Sequence, residues 1–287
     1  MSLYLGCPAW GEKGWIGRFL PADTRQKDLL FAYSRRLNTV EGNTTFYALP
    51  TAEQVTRWRD ATPPGFRFCL KFPQIVSHRK RLIDCAAETQ AFIDRLRTLG
   101  DRCGPAFLQL PPTFGRTQLG RLETYLAQLP SDLRFVVEPR HPDFFDGGPG
   151  ESALDELLRD RGLARGVFDT TALFALPAAY SPDVAAAQER KPRFATRATR
   201  TAGFAFVRFV GQPTIADNLP WIEAWAERIG AWLAAGDDVF FFTHLPDDTD
   251  APDLARLLHA RVGERFALPS FGGSEPPPPP ALQPTLF

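Results

Sequence analysis

Eight short apolar runs recur along this chain, at residues 3–7, 39–41, 66–72, 106–110, 134–139, 164–169, 204–210 and 239–245, with helical patterns between most of them. Strands that alternate with helices make βα units and pair in parallel, whereas the strands of a sandwich follow one another through short turns. Several runs, such as VFFFTHL at 239–245, are apolar without alternation, as expected of parallel strands covered on both faces. Eight such units predict an α/β fold, a single-domain (β/α)8 TIM-type barrel of parallel strands.

The helices between the runs carry start signals. Thr51-Ala-Glu-Gln54 is a capping box, which predicts a helix running to about Asp60. Ser152-Ala-Leu-Asp155 reads as another helix start, and Asp250 followed by Pro252 as the last. Apolar residues at three- and four-residue spacings predict helices over 84–99 and 220–235. Two stretches break the alternation. Residues 171–203 hold Arg190, Lys191, Arg193, Arg197 and Arg200 without a convincing single helix, which predicts an irregular insertion, either a solvated basic loop or an anion-binding flap. At the C-terminus, Gly272-Gly273-Ser274-Glu275 leads into five prolines at 276–280 and the ending ALQPTLF, a composition suited to an extended spacer. The expected division is a barrel domain over 1–270 and a Pro-rich tail over 271–287.

With 287 residues, 44% of them hydrophobic, the chain can bury one large core. Its 33 Lys and Arg balance 33 Asp and Glu, which excludes a broad non-specific nucleic-acid surface but not a local basic patch. Cys7, Cys69, Cys85 and Cys103 show neither a CxxC pair nor zinc spacing, and read as buried free thiols in a reducing cytosol. MSLYLGCPAW has no basic region followed by an apolar one, and no apolar run reaches the roughly 18 residues that span a bilayer. The expectation is a soluble cytoplasmic protein with no membrane partner.

The most informative stretch is TVEGNTTFY at 39–47. Thr39 and Val40 suit a strand, and Gly42, Asn43 and the paired threonines then break its regularity. Glu41 thus falls at a strand's carboxyl end, where barrel active sites form, with Asn43 two residues on. An ion pair with a nearby Arg or Lys, with Asn43 closing an Asx-turn, explains the pair equally well.

A set of motifs runs through most of residues 1–245. It begins with Gly6, Trp15 and Phe19-Leu20-Pro21, then Val40-Glu41-Gly42-Asn43-Thr44-Thr45-Phe46-Tyr47, Trp58, Thr62-Pro63 and Gly65-Phe66-Arg67-Phe68. Lys71, His78, Gln109-Leu110-Pro111-Pro112, Val137-Glu138-Pro139-Arg140-His141, Asp169 and Val207-Arg208-Phe209-Val210-Gly211 complete it. Together these resemble the family called domain of unknown function 72, the YecE-like proteins. The resemblance implies a (β/α)8 barrel and implies no particular reaction. Three positions depart from the family pattern. Val210 stands where a His usually precedes the Gly, Thr243-His244 where the last strand usually ends toward Asn, and Phe144 where Trp is frequent. If that His is catalytic in relatives, this protein is altered or inactive, or His244 stands in for it.

Projecting the strand ends onto one face gathers Glu41, Asn43, Lys71, Gln109, Glu138, Arg140, His141, Asp169, Arg208 and His244, with His78 just beyond the third strand. Charged groups inside a barrel are costly unless paired, so the set reads as a functional site or as a structural ion-pair lattice. Lys71, Arg140 and Arg208 predict an anionic ligand, since Arg matches phosphate or carboxylate with two parallel hydrogen bonds. The expected catalytic set is Glu41, Glu138, His141 and Asp169, with the two glutamates dividing acid and base work and His141, His78 or His244 shuttling the proton. Asn43, Lys71, His78, Gln109, Arg140, Arg208 and His244 are expected to bind substrate. Glu41, Glu138, Asp169, His78, His141 and His244 are also metal-ligand types, and barrels resembling endonuclease IV hold zinc with such residues. No HxxxH or HxH occurs, however, and three cations lie among them, so no metal or other cofactor is expected. Trp10, Trp15, Phe46 or Tyr47 stacking a sugar between the two glutamates is a further reading, against plain core packing. Gly11-Glu-Lys-Gly14-Trp-Ile-Gly17 has the wrong spacing for a dinucleotide fingerprint, and no GxxxxGK[ST] occurs.

The tail adds a separate signal. Gln283-Pro-Thr-Leu286-Phe287 resembles the Gln-x-x-Leu-Phe peptides that dock on the bacterial DNA sliding clamp, although Pro284 is not the favoured residue there. The expectation is an enzyme of acid-base hydrolysis or lysis acting on an anionic, phosphate-bearing small molecule or nucleic-acid end. The alternative is a non-catalytic module that binds an anion or nucleic acid and is tethered to the clamp through Gln283, Leu286 and Phe287.

Overall fold

The structure, a computed structural model, describes residues 1–268. Each apolar run becomes a strand: β1 (Leu3–Gly6), β2 (Thr39–Gly42), β3 (Arg67–Leu70), β4 (Ala106–Gln109), β5 (Phe135–Glu138), β6 (Ala164–Asp169), β7 (Phe204–Val210) and β8 (Asp238–His244). All their pairings are parallel. One ladder runs β1-β8-β7-β6-β5-β4 and a second pairs β2 with β3. Two isolated parallel bridges, Phe68 with Cys103 and Lys71 with Phe107, join β3 to β4. On the other side the Glu41 amide donates to the Cys7 carbonyl at 3.1 Å, and the Asn38 side chain accepts from the Leu5 amide and donates to the Leu3 carbonyl, each at 2.8 Å. Gly6 permits that approach, because a Cβ there would lie 2.3 Å from the Thr39 carbonyl oxygen. The order is cyclic, that of a (β/α)8 barrel.

The helices are α1 (Leu29–Tyr33), α2 (Thr44–Tyr47), α3 (Ala52–Ala61), α4 (Ala86–Thr98), α5 (Leu119–Leu126), α6 (Pro149–Asp160), α7 (Thr171–Phe174), α8 (Pro182–Arg190), α9 (Leu219–Ala234) and α10 (Ala251–Gly263). The capping box of α3 is formed, with Thr51 Oγ1 accepting from the Gln54 amide at 3.2 Å and Gln54 Oε1 from the Thr51 amide at 2.8 Å. Ser152 does not start α6. Pro149 does, after Gly148, because its fixed φ suits a first turn, and the Ser152 hydroxyl instead donates to the Gly148 carbonyl.

The insertion also differs from expectation. Its middle is α8, capped by the Ser181 hydroxyl accepting from the Val184 amide at 3.2 Å and held by buried Val184 and Ala187. Residues 191–203 have no regular structure, yet they are a docked strap rather than a wet loop. Arg197 pairs with Glu151 at 3.0 Å and donates to the Phe145 carbonyl at 2.9 Å, and Arg200 pairs with Asp237 at 2.8 Å. Two basic residues are thus absorbed in fastening the strap to its neighbours.

The interior of the ring is separate from the layer between strands and helices. Cys69, Phe107, Val136, Ala164, Phe204, Phe206, Phe240 and Phe242 form one cluster with Tyr4 packed on it, while Ala205, Val207, Val239 and Phe241 belong to another. That split is the two-residue alternation of a strand. The interior rings pack closely, Tyr4 on Phe240 at 4.4 Å, Phe206 on Phe242 at 5.1 Å and Phe107 on Phe206 at 5.3 Å between centroids. They make an aromatic plug. All four cysteines are free, three buried and Cys103 partly exposed. No described helix is long and apolar enough to cross a membrane. The expected boundary at 270 and the tail residues Gln283, Leu286 and Phe287 lie outside the described residues.

Candidate functional site

Continuing each strand's alternation past the plug places Glu41, Lys71, Gln109, Glu138, Arg140, Phe168, Arg208 and His244 in the next layer, at the carboxyl ends of the strands. Gly166 makes room beside Glu138, since a Cβ there would lie 3.1 Å from the glutamate's own. Seven strands converge on one mouth.

Arg208 is the hub. Its Nε and Nη2 donate to Glu41 Oε2 and Oε1, each at 2.7 Å, and its Nη1 donates to Glu138 Oε2 at 2.9 Å. Glu41 also accepts from Asn43 Nδ2 at 2.6 Å and faces His244 Nε2 at 3.0 Å. Glu138 accepts from Arg140 Nε at 2.6 Å. Above this floor, Lys71 Nζ and Arg140 Nη2 both donate to Gln109 Oε1, at 2.8 and 3.3 Å. Aromatic faces line the cations: Arg140 lies 3.8 Å and Arg208 4.9 Å from the Phe168 centroid, and Lys71 4.2 Å from that of Phe46. Both glutamates are fully buried, whereas Gln109, Phe168, Phe46 and Asn43 keep partial exposure, so the layer opens outward.

Electrostatics set the roles. Burial disfavours the charge on Glu41, but Arg208 and His244 outweigh it and hold this carboxyl well below the ordinary range. Burial likewise opposes, and Arg140, Arg208 and Lys71 overcome, the charge of Glu138, which is also held down. Both are carboxylates at neutral pH. The expected division of acid and base work needs one glutamate pushed up, and neither is. Lys71 is the group moved toward neutrality, down to about 8, by burial and then by Arg208. Three cations, Lys71, Arg140 and Arg208, face two carboxylates, a surplus of one positive charge.

Two expected catalytic residues point elsewhere. Asp169 is one residue out of step with Phe168, so its side chain enters the helix layer. There it accepts from the Thr171 amide and hydroxyl, the Thr196 hydroxyl and, at 2.8 Å, the Trp225 indole. Asp169→Asn is expected to lower stability by about 2 kcal/mol, as a buried acceptor becomes a mismatched donor, and to leave anion binding at the mouth unchanged. Urea unfolding and phosphate titration check the two halves. His141 is likewise out of step with Glu138 and Arg140; its Nδ1 accepts from the Asp143 amide at 3.2 Å.

His78 sits in a π turn, Ile75–Arg79, with Nδ1 on the Ser77 hydroxyl at 2.8 Å. Burial, Lys71 and Arg140 push it down to about 4, so it is neutral and borders the cationic side of the mouth. The loop after it is strained. Arg81, Leu82 and Asp84 have φ of 51°, 67° and 47°, and Arg81 is tied to Thr113 by hydrogen bonds of 2.7 and 3.0 Å.

Of the aromatics considered for stacking, Trp15 is buried on Tyr33, Trp10 packs on Trp58, Tyr47 is exposed, and Phe46 borders the mouth. Phe168 was missed by reasoning from polar residues alone, though its step with Gly166 and Ala164 marked it. Val210 packs with Leu173, Val184 and Ala187. Among the described residues no three His, Cys, Asp or Glu gather as a metal ion would require.

Comparison with known proteins places this geometry in context. A family described as a protein of unknown function, DUF72, matches residues 4–281. The UPF0759 protein YecE of Escherichia coli is 35% identical over 270 residues, 94% of this chain and 95% of that protein. Crystal structures of DUF72 family proteins share the fold. One from Enterococcus faecalis has a TM-score of 0.69 at 17% identity over 91% of this chain and 98% of that one. Another, from Thermotoga maritima, has a TM-score of 0.68 at 20% identity over 92% and 100%. With its family model matched almost end to end and a curated relative at this identity, the chain belongs to the DUF72 family.

Proposed function

We propose that this protein is an acid-base enzyme acting on an anionic, phosphate-bearing small molecule held at the barrel mouth. Lys71 and Arg140 contact the anion, and Lys71 exchanges the proton. One observation carries the reading: two cations, one lysine and one arginine, converge on the single neutral oxygen of Gln109 in a layer that holds surplus positive charge. Arg140 is also paired with Glu138, at 2.5 Å, but Glu138 is shared with Arg208, so the layer as a whole lacks one negative charge until a ligand oxygen joins it. Glu41, Arg208 and Glu138 form a fixed charged floor that orients Arg140 and keeps Lys71 near its switching point.

In the neutral form Lys71 takes a proton from water or from a carbon beside the anionic group. As the ammonium it returns a proton to a leaving oxygen, while Arg140 balances the charge that develops. Hydrolysis and lysis share this first step. The test is calorimetric titration with inorganic phosphate. Wild type is expected to bind at pH 6.5, to weaken at pH 9.5 as Lys71 loses its charge, and to lose about tenfold in affinity in Arg140→Gln. Equal phosphate affinity in Arg140→Gln and wild type, with both folded, would remove the proposal. Turnover of phosphate esters by wild type but not by Lys71→Met separates an enzyme from a module that only binds.

A further inference from the structure

His78 follows β3 in the π turn Ile75–Arg79 and is half-buried. Its neighbour Ser77 sets the tautomer. The buried Ser77 hydroxyl donates to the Pro73 carbonyl at 3.4 Å and lies 2.8 Å from His78 Nδ1. A hydroxyl has one proton, so both contacts are hydrogen bonds only when Nδ1–H donates to Ser77 Oγ. That tautomer leaves the lone pair on Nε2, an acceptor with no partner among the described residues. Two ring contacts put the imidazole beside Lys71. It packs edge-on against Phe46, 5.0 Å between centroids and 86° between planes, and Lys71 Nζ lies 4.2 Å from the same Phe46 centroid. Lysine and imidazole are therefore no more than about 9 Å apart, near the span of two hydrogen bonds with a phosphate between them, about 8 Å. A groove that Phe46 and Tyr47 also line takes in Gln74, Ile75 and Arg79 but not His78, so the imidazole is not spent on that outer surface. Burial, then Lys71, Arg140 and Arg81, hold the ring neutral at pH 6.5.

Resting on the anion-binding reading above, we infer that His78 determines which anion the mouth accepts, its Nε2 taking a hydrogen bond from an O–H of the ligand. The class this selects is a phosphate that carries a proton, inorganic phosphate or a monoester in its singly ionised form, over sulfate or a phosphodiester, which have none. Lys71 and Arg140 take the ionised oxygens and His78 the protonated one. A bare anionic oxygen set there faces the imidazole lone pair with no proton between them, and the acceptor stays unpaired. Charge alone gives the opposite order, since sulfate is the more highly charged ion at pH 6.5.

The experiment compares inorganic phosphate with sulfate by calorimetry at pH 6.5 in wild type, His78→Gln and Ser77→Ala. Wild type is expected to prefer phosphate by about tenfold, the effect of one hydrogen bond lost with its acceptor left unpaired. His78→Gln can turn an amide N–H toward the anion, and is expected to bind the two ions within about twofold of each other. Ser77→Ala frees Nδ1, so the ring can carry its proton on Nε2 and donate, and the same narrowing is expected with residue 78 unchanged. Urea unfolding shows which variants are folded, and if one is not, the other decides. Wild type that binds sulfate as tightly as phosphate, or a preference that persists in a folded variant, overturns the inference while leaving anion binding at Lys71 and Arg140 standing. Absence of binding of either anion to wild type overturns both readings.

Discussion

Replacing Arg208 with Met is expected to destabilise the protein by about 3–5 kcal/mol, the cost of leaving a buried charge without its partner. Arg208 gives three of its nitrogens to Glu41 and Glu138, both at 0% exposure. Without it Glu41 keeps Asn43 and His244, and Glu138 keeps Arg140. The pH dependence gives the mechanism away. In wild type both carboxyls are depressed below their unfolded values, so their contribution is present above the unfolded range and is lost as pH falls through the folded one. In the variant burial dominates, raising at least one carboxyl, and its penalty shrinks as that group takes a proton on acidification. The gap between the two proteins should therefore narrow from pH 7 toward pH 5. Urea midpoints at both pH values check this, and adding Glu41→Gln to Arg208→Met should recover part of the loss. A gap below about 1 kcal/mol, or one that does not move with pH, would show that the cluster is not the coupled unit described here.

Lys71→Met is expected to do the reverse, stabilising the fold at pH 7 by up to about 3 kcal/mol, the equivalent of lowering a lysine from its usual value to about 8. The same change should weaken phosphate binding by about tenfold, the effect of one charge-assisted contact. Below pH 8 both folded and unfolded wild type hold the proton, and the full penalty is present. Between about 8 and 10.5 the unfolded chain holds more protons than the folded one, so wild-type stability rises with pH. The variant lacks that rise, and the two curves should meet near the top of the window. Urea unfolding from pH 7 to 10.5 tests it; flat wild-type stability across the window would mean that Lys71 is not charged at a cost. A residue that weakens the fold it stands in is kept for what it does, which is the usual trade between stability and activity.

How much of the site was readable depends on which rule places each residue. Glu41, Glu138 and Arg208 were legible because a parallel strand's carboxyl end is a fixed address in this fold. Once Glu138 is taken as pointing inward, Arg140 follows two residues on and His141 is excluded. The same rule removes Asp169 only once the inward face is known: Arg165 and Asp169 share a face, and Arg165 pairs with Asp155 of α6 at 2.5 Å, outside the ring. The runs gave no hint of this, because both faces of a parallel strand are buried and apolar residues fill each in turn.

By itself the sequence determined the eight strands and the capping box of α3, because an apolar run seeks cover and a cap closes within four residues. It also determined that charges would gather at one end of the ring. The tertiary structure alone decided what those charges are. Two carboxyls are ionised and a lysine is poised near 8 because each one's neighbours arrive from other strands, up to 203 residues away in the chain for the contact between His244 and Glu41. Coulomb energy follows distance in space, which no local pattern in a chain encodes.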